Sequence, residues 1–230
     1  LQSGDFGAEA FLLFAAATAA LTALTLPAHA APGPLGEPGG TLALPLKDAV
    51  KVLPAAEETR VGYTRTSFRH WTDADKDQCN TRKEVLLAEA FLAPEQGTRC
   101  ALTGGEWYSP YDDVYVESAG GLDVDHMVPL AEAWDSGAGQ WSAREREEYA
   151  NDLGDDRALI ALTARSNRPK ADQDPATWLP PAQAYWCEHL ADWVAVKMRW
   201  QLTVDDAERQ ALTDGMTGRP NKPVRVTFAP

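Results

Sequence analysis

Asp123, Asp125 and His126 stand together in LDVDHMVPL, and Asn167, Lys170, Asp172 and Asp174 follow the later apolar run RALIALTA. These residue types in two segments suit hydrolysis of a phosphodiester. That reaction needs a base to activate water and a cation to neutralise charge on the phosphate and the leaving oxygen. Neutral imidazole fits the first role near neutral pH. Carboxylate and amide oxygens fit Mg²⁺ or Mn²⁺, which keep several waters and take few protein ligands. Asp123 shares a strand face with Asp125, so it is open as a second ligand or as a strand-end hydrogen-bonding group. Arg165, Arg168 and Lys170 are candidates to hold phosphates, against the plainer reading of a solvated charged turn. A histidine beside acids, taken alone, is equally at home in a surface ion pair.

The elements that must position these groups are legible in outline. LDVDHMVPL alternates and then breaks at Pro129, as a strand end running into a loop does. Arg157–Ala164 is apolar and β-compatible, and the polar turn RSNRPKADQDP follows it. Between them Ser142 and Glu145 form a capping-box pattern that starts a charged helix ending near Asn151. Upstream, Leu46–Leu53 reads as a short amphipathic helix, and Thr81 with Glu84 predicts a second capping box and helix. A strand is expected around Val114–Glu117. Downstream, a longer helix spans about 182–200, with Trp186, Trp193 and Trp200 at core spacing. Thr203 or Asp205 caps a last helix that stops at Gly215. The class is α+β, with more helix than strand. His70 and His189 have no partner pattern and read as structural.

Asp73, Asp75, Asp77 and Glu84 occupy the acidic positions of an EF-hand-like loop, which would offer oxygens to Ca²⁺. Gln78 replaces the glycine that makes the sharp turn there, so an acidic turn stapled by Cys79 is the alternative. Of the 3 cysteines, Cys79 and Cys100 are the natural disulfide pair and Cys187 is left over. The loop that this pair closes would stabilise the fold by roughly 3 kcal/mol in the chain-entropy model.

Phe11–Leu26 has the length and apolarity of a signal-peptide core, and Ala28-His29-Ala30 fits a cleavage site, although the preceding residues lack a basic region. The expected organisation is therefore a signal peptide over 1–30, a Pro/Gly-rich linker over 31–45, a domain over 46–215 and a tail over 216–230. Such a chain is secreted, bears disulfides and has no membrane anchor in its mature form. A formal charge of −13 argues against coating a polyanion, which draws on Lys and Arg. Nucleic-acid chemistry on this chain must be local and sensitive to salt.

DVDHMVPLAEAWDSGAGQW, YANDL and ALIALTARSNRPKADQDPATWLP occur in that order. Together they resemble an HNH endonuclease with a ββα-metal core, of the secreted bacterial type related to the C-terminal domain of the GmrSD restriction enzymes. The likeness extends upstream through GYTRTSFRHW and CNTRKEVL, and downstream through YWCEHLADWVAVKMRWQLTVDDAE. It implies His126 as general base, Asp125 as metal ligand and Asn167 as a ligand on the helix that closes the ββα unit. It further implies a single Mg²⁺ or Mn²⁺ and a nucleic-acid substrate, DNA or also RNA, cut by a monomer with little sequence specificity. One departure stands out. Ala158 occupies the start of the second strand, where such proteins often carry an Asn that positions the histidine; Asn151 in YANDL is the expected substitute. Ala158 also leaves open a non-enzymatic reading, a secreted calcium-binding or interaction module with an inactive core.

Overall fold

His126 sits at the end of a two-stranded antiparallel sheet, and helices pack around that strand pair. The computed structural model describes residues 34–230, so the expected signal peptide lies outside the described residues. In chain order the elements are β1 (Thr41–Pro45), α1 (Leu46–Val52), α2 (Thr81–Ala88), β2 (Ala90–Leu92), β3 (Glu95–Gln96), β4 (Leu102–Thr103), β5 (Glu106–Ser109) and β6 (Val114–Val116). They continue with β7 (Leu122–His126), α3 (Leu130–Asp135), α4 (Ala143–Ala150), β8 (Leu159–Thr163), α5 (Ala164–Lys170), α6 (Trp186–Arg199), α7 (Asp206–Gly215) and β9 (Pro223–Thr227). The fold is α+β, as expected.

β7 pairs with β8 in a register that sets Asp125 opposite Ile160 and His126 opposite Leu159. α5 follows β8 without a loop, because the Thr163 side chain caps it by accepting from Ser166 N. β7, β8 and α5 thus make the ββα unit, with α3 and α4 filling the connection between its strands. Pro129 breaks the strand and is the residue before α3, where its missing N–H costs nothing.

α6 runs behind this unit and is buried along most of its length, through Leu190, Trp193, Val194, Val196 and Met198. Trp193 and Trp200 are core residues as their spacing predicts, while Trp186 is only half-buried. Lys197 on the same helix is fully buried and donates to Glu132, Ser136, Thr203 O and Glu208. His189 is buried too, packed against Tyr111 and Trp178. Among the described residues, no helix is long and apolar enough to cross a membrane.

Two local expectations need correction. The Thr81–Glu84 capping box does not form: Asn80 caps α2 by accepting from Lys83 N, and the Thr81 hydroxyl is spent on Thr72 O and Asn151. Ser142 and Glu145, by contrast, make both bonds of their box, and Asp205 caps α7. The supposed linker and tail are also structured at their ends, since β1 pairs with β9 from Thr41↔Thr227 to Pro45↔Pro223. Alternating Leu42, Leu44, Val224 and Val226 give that pair an apolar face, which packs on the core. Cys79 and Cys100, by contrast, form the disulfide as expected, with Cα atoms 5.1 Å apart, and Cys187 is free.

Candidate active site

Neighbours in a strand point to opposite faces, yet Asp125 and His126 both reach one cavity of about 420 Å³ because β7 ends there. Asn167 and Arg168 from α5 line it, as do Tyr63 and Arg65 from the segment before α2. His126 is 5% exposed. Its Nε2 lies 3.0 Å from Ala150 O. A carbonyl only accepts, so Nε2 carries the proton and Nδ1 keeps the lone pair that a base requires. Burial pushes the imidazole down to about 3, against the opposing pull of the Ala150 carbonyl, so the ring is neutral at physiological pH.

Two aromatic rings lie nearly parallel to this imidazole: Trp71 at 5.4 Å and 27°, and Tyr149 at 6.3 Å and 17°. His70 also stands nearby, its ring centroid 6.5 Å from that of His126. Trp71, Tyr63 and Arg65 carry no expectation from the sequence, where His70 reads as structural. The signal available was the density of cations and aromatics in GYTRTSFRHW, which no periodicity ties to the later motif.

Asp125 is 7% exposed. Its Oδ2 accepts from Lys170 Nζ at 2.5 Å and from Tyr111 OH at 3.2 Å. Burial biases both ends of the ion pair toward neutrality, raising the carboxyl and lowering the ammonium, while their mutual attraction opposes it. Asn167 Nδ2 points to Asp123 Oδ2 at 3.4 Å, which leaves the amide oxygen uncommitted. Arg168 Nε lies 3.5 Å from the same Asp123 oxygen and its side chain is largely exposed.

Lys170 does not line the His126 cavity, where a phosphate would be held. It is fully buried, and its ammonium is used up on Asp125, His126 O and Met127 O. The charged-turn pattern hid the fact that α5 turns this side chain inward. Arg165 is also displaced: it pairs with Asp112 at 2.9 Å and lines a separate cavity. Asp123 Oδ2 meets Asn167 and Arg168, and the residue does not line the His126 cavity. Asn151 does not touch His126. Its amide accepts from Thr72 N and the Thr81 hydroxyl, and donates to Arg69 O and Glu147 O. The preceding residue supplies the contact instead, through the Ala150 carbonyl. Ala158 is buried in the core and its carbonyl accepts from Met127 N at 3.0 Å.

Asp125 and Asn167 bring to the cavity oxygen donors of the kind a hard divalent cation takes. Asp125 Oδ1 and Asn167 Oδ1 carry no hydrogen bond from the protein, and both residues line the same cavity. Oxygen donors in small number, with room for water, are what Mg²⁺ or Mn²⁺ accepts. Lys170 offsets the charge of Asp125, so binding would be weaker than at a site of two free carboxylates.

Elsewhere, Asp73, Asp75 and Asp77 bring carboxylate oxygens within 4.8 Å of one another, and Asp77 does the same with Glu84 and Cys79. Each aspartate of this exposed loop already accepts a backbone N–H, from Gln78, Asp77 and Cys79 respectively. A third acidic group, Glu58, Glu132 and Glu208, is bridged at its buried end by Lys197.

Comparison with known proteins points in one direction. Residues 77–214 match the family described as GmrSD restriction endonucleases, C-terminal domain. A protein of Arthroderma benhamiae, described as an uncharacterized secreted protein, is 40% identical over 200 residues, covering 87% of this chain and 95% of the relative. No solved structure matches the chain.

Proposed function

Because the chain belongs to the family of GmrSD restriction endonuclease C-terminal domains, we propose that it is a divalent-metal-dependent endonuclease that hydrolyses phosphodiester bonds. The observation that carries this reading is the His126 tautomer. With Nε2–H committed to Ala150 O, Nδ1 is the basic atom, in a cavity shared with oxygen donors and exposed guanidinium groups.

In this reading His126 Nδ1 takes a proton from a water that attacks phosphorus, and the P–O bond to the leaving sugar oxygen breaks. Arg168 and Arg65 hold the phosphate from the cavity rim. Asp125 and Asn167 hold Mg²⁺ or Mn²⁺, which when bound neutralises charge on the phosphate and the leaving oxygen. Lys170 keeps Asp125 in place from behind. Ala158 by itself favours a non-catalytic module; the Ala150 carbonyl supports the enzymatic reading, since it gives the imidazole the hydrogen bond that an Asn would have supplied.

The substrate is DNA, and RNA if the cavity admits a 2′-hydroxyl, cut with little sequence preference. Nothing among the described elements resembles a base-reading helix, and the charge of −13 confines attraction to the cavity rim. The signal-type segment, the disulfide and the relative described as secreted support an extracellular site of action, and the protein works as a monomer.

Supercoiled plasmid tests the reading. The purified protein should convert it in Mg²⁺ or Mn²⁺, stop in EDTA and resume when metal is restored. Asp125→Ala and Asn167→Ala should each need more metal for the same rate. Conversion that continues in EDTA, or unchanged metal requirement in both variants, would contradict the assignment.

A further inference from the structure

We infer that Trp71 is a positioning residue for the imidazole of His126, and that Asn151 acts on that imidazole only through Trp71. The inference rests on the assignment of His126 as base. The end of α4 arranges the device in three consecutive residues. Tyr149 lays its ring nearly parallel to the imidazole. Ala150 accepts from Nε2. Asn151 then reaches away to the segment that carries Trp71.

Trp71 has φ of 59°, a left-handed conformation that a residue with a Cβ adopts only when its surroundings impose it. The surroundings do so from both sides. Asn151 Nδ2 donates to Arg69 O at 2.8 Å, and Asn151 Oδ1 accepts from Thr72 N at 2.9 Å. The chain between those two anchors has no freedom to extend, and it presents the indole to His126 at 5.4 Å. Thr72 O is fixed in turn by Thr81 N at 2.8 Å and the Thr81 hydroxyl at 3.0 Å. His70 Nδ1 donates to Phe68 O at 2.9 Å, which pins the turn from its other end.

A single hydrogen bond at Nε2 leaves the imidazole free to rock about that axis. A near-parallel ring restricts the rocking, so Nδ1 keeps one direction toward the cavity. Tyr149 is locked for the same task by its hydroxyl, which donates to Val128 O. The structure therefore replaces the missing amide at Ala158 with two parts: a carbonyl that sets the tautomer and stacked rings that set the plane.

The test compares parent, Trp71→Phe, Trp71→Leu and His126→Ala on a nucleic-acid duplex in Mg²⁺, with thermal unfolding as a check on folding. Phe keeps a ring and Leu keeps only apolar volume. Trp71→Phe should stay near the parent, while Trp71→Leu should lose roughly 3- to 10-fold in kcat with little change in KM, the usual worth of one aromatic stack. Adding Trp71→Leu to His126→Ala should cause no further loss, because the ring acts through the imidazole. Carbon relaxation of the His126 ring in the parent should report a rigid group, whether or not the Leu variant folds. Equal kcat for Phe and Leu, additive losses, or a mobile imidazole would each overturn the inference while leaving His126 as base. A parent-like His126→Ala enzyme would overturn both.

Discussion

The His126 ring donates its hydrogen bond to a backbone carbonyl, that of Ala150, and a carbonyl has no side-chain signature. The sequence shows a histidine lacking its expected amide partner at Ala158 and offers Asn151 nearby. The structure uses Ala150, whose identity says nothing about its carbonyl. That Asp125, His126 and Asn167 share one cavity was legible, because their types are those the proposed chemistry requires, in segments ending in breakers. The burial of Lys170 was not legible, because it depends on which way α5 enters the core, and the turn around it is polar. Ala158→Asn follows from the same geometry. The position is 5% exposed and His126 is already satisfied, so an amide there would be buried without a partner. We expect a loss of about 1–3 kcal/mol in stability and no gain in rate. Denaturant unfolding measures the first; an unchanged midpoint with faster hydrolysis would show that the amide does reach the imidazole.

At the scale of elements, periodicity and caps located most of the frame. Ser142 with Glu145 and Asp205 acted as read, and the apolar run before α5 became β8. Short strands were harder, since β2 to β5 carry few residues and exposed aromatics such as Phe91 and Tyr108. β1 and β9 were missed for another reason. Each is half of a two-stranded sheet, and their pairing joins the two ends of the described chain, which no local pattern announces. These strands are part of the core in energetic terms as well. Phe228 follows β9, is 4% exposed and packs against the glycines before β1. Phe228→Ala should cost about 3–5 kcal/mol, as loss of a buried aromatic does. A shift below about 0.5 kcal/mol in urea unfolding, the scale of ordinary surface changes, would mean that the tail is dispensable.

The whole molecule carries an acid sensitivity in its buried histidines. His189 has a buried Nδ1 without a partner, and burial pushes the ring down to about 3. In the unfolded chain it titrates near 6.5. Between those values the unfolded state binds more protons, so this group lowers stability as pH falls below about 6.5 and contributes no pH dependence above it. At pH 5 the linked loss is about 2 kcal/mol. Buried carboxyls such as Glu89 and Asp192, both raised to about 7 mainly by burial, act in the opposite sense. A variant isolates the histidine from them. From pH 7 to pH 5, the parent should lose about 2 kcal/mol more than His189→Phe; parallel curves would contradict the burial argument.

Charge at this same scale sets how the molecule must meet a polyanion. With −13 overall, the proposed attack on nucleic acid has to draw on local positive charge, and Arg65 and Arg168 line the His126 cavity. The most direct measurement is therefore the rate of plasmid conversion by His126→Ala beside the parent, in Mg²⁺, with both shown to unfold at the same temperature. Removing the atom that accepts the proton should slow hydrolysis roughly 10²- to 10⁴-fold. A variant within about threefold of the parent, far inside the range expected for a general base, would contradict the central claim.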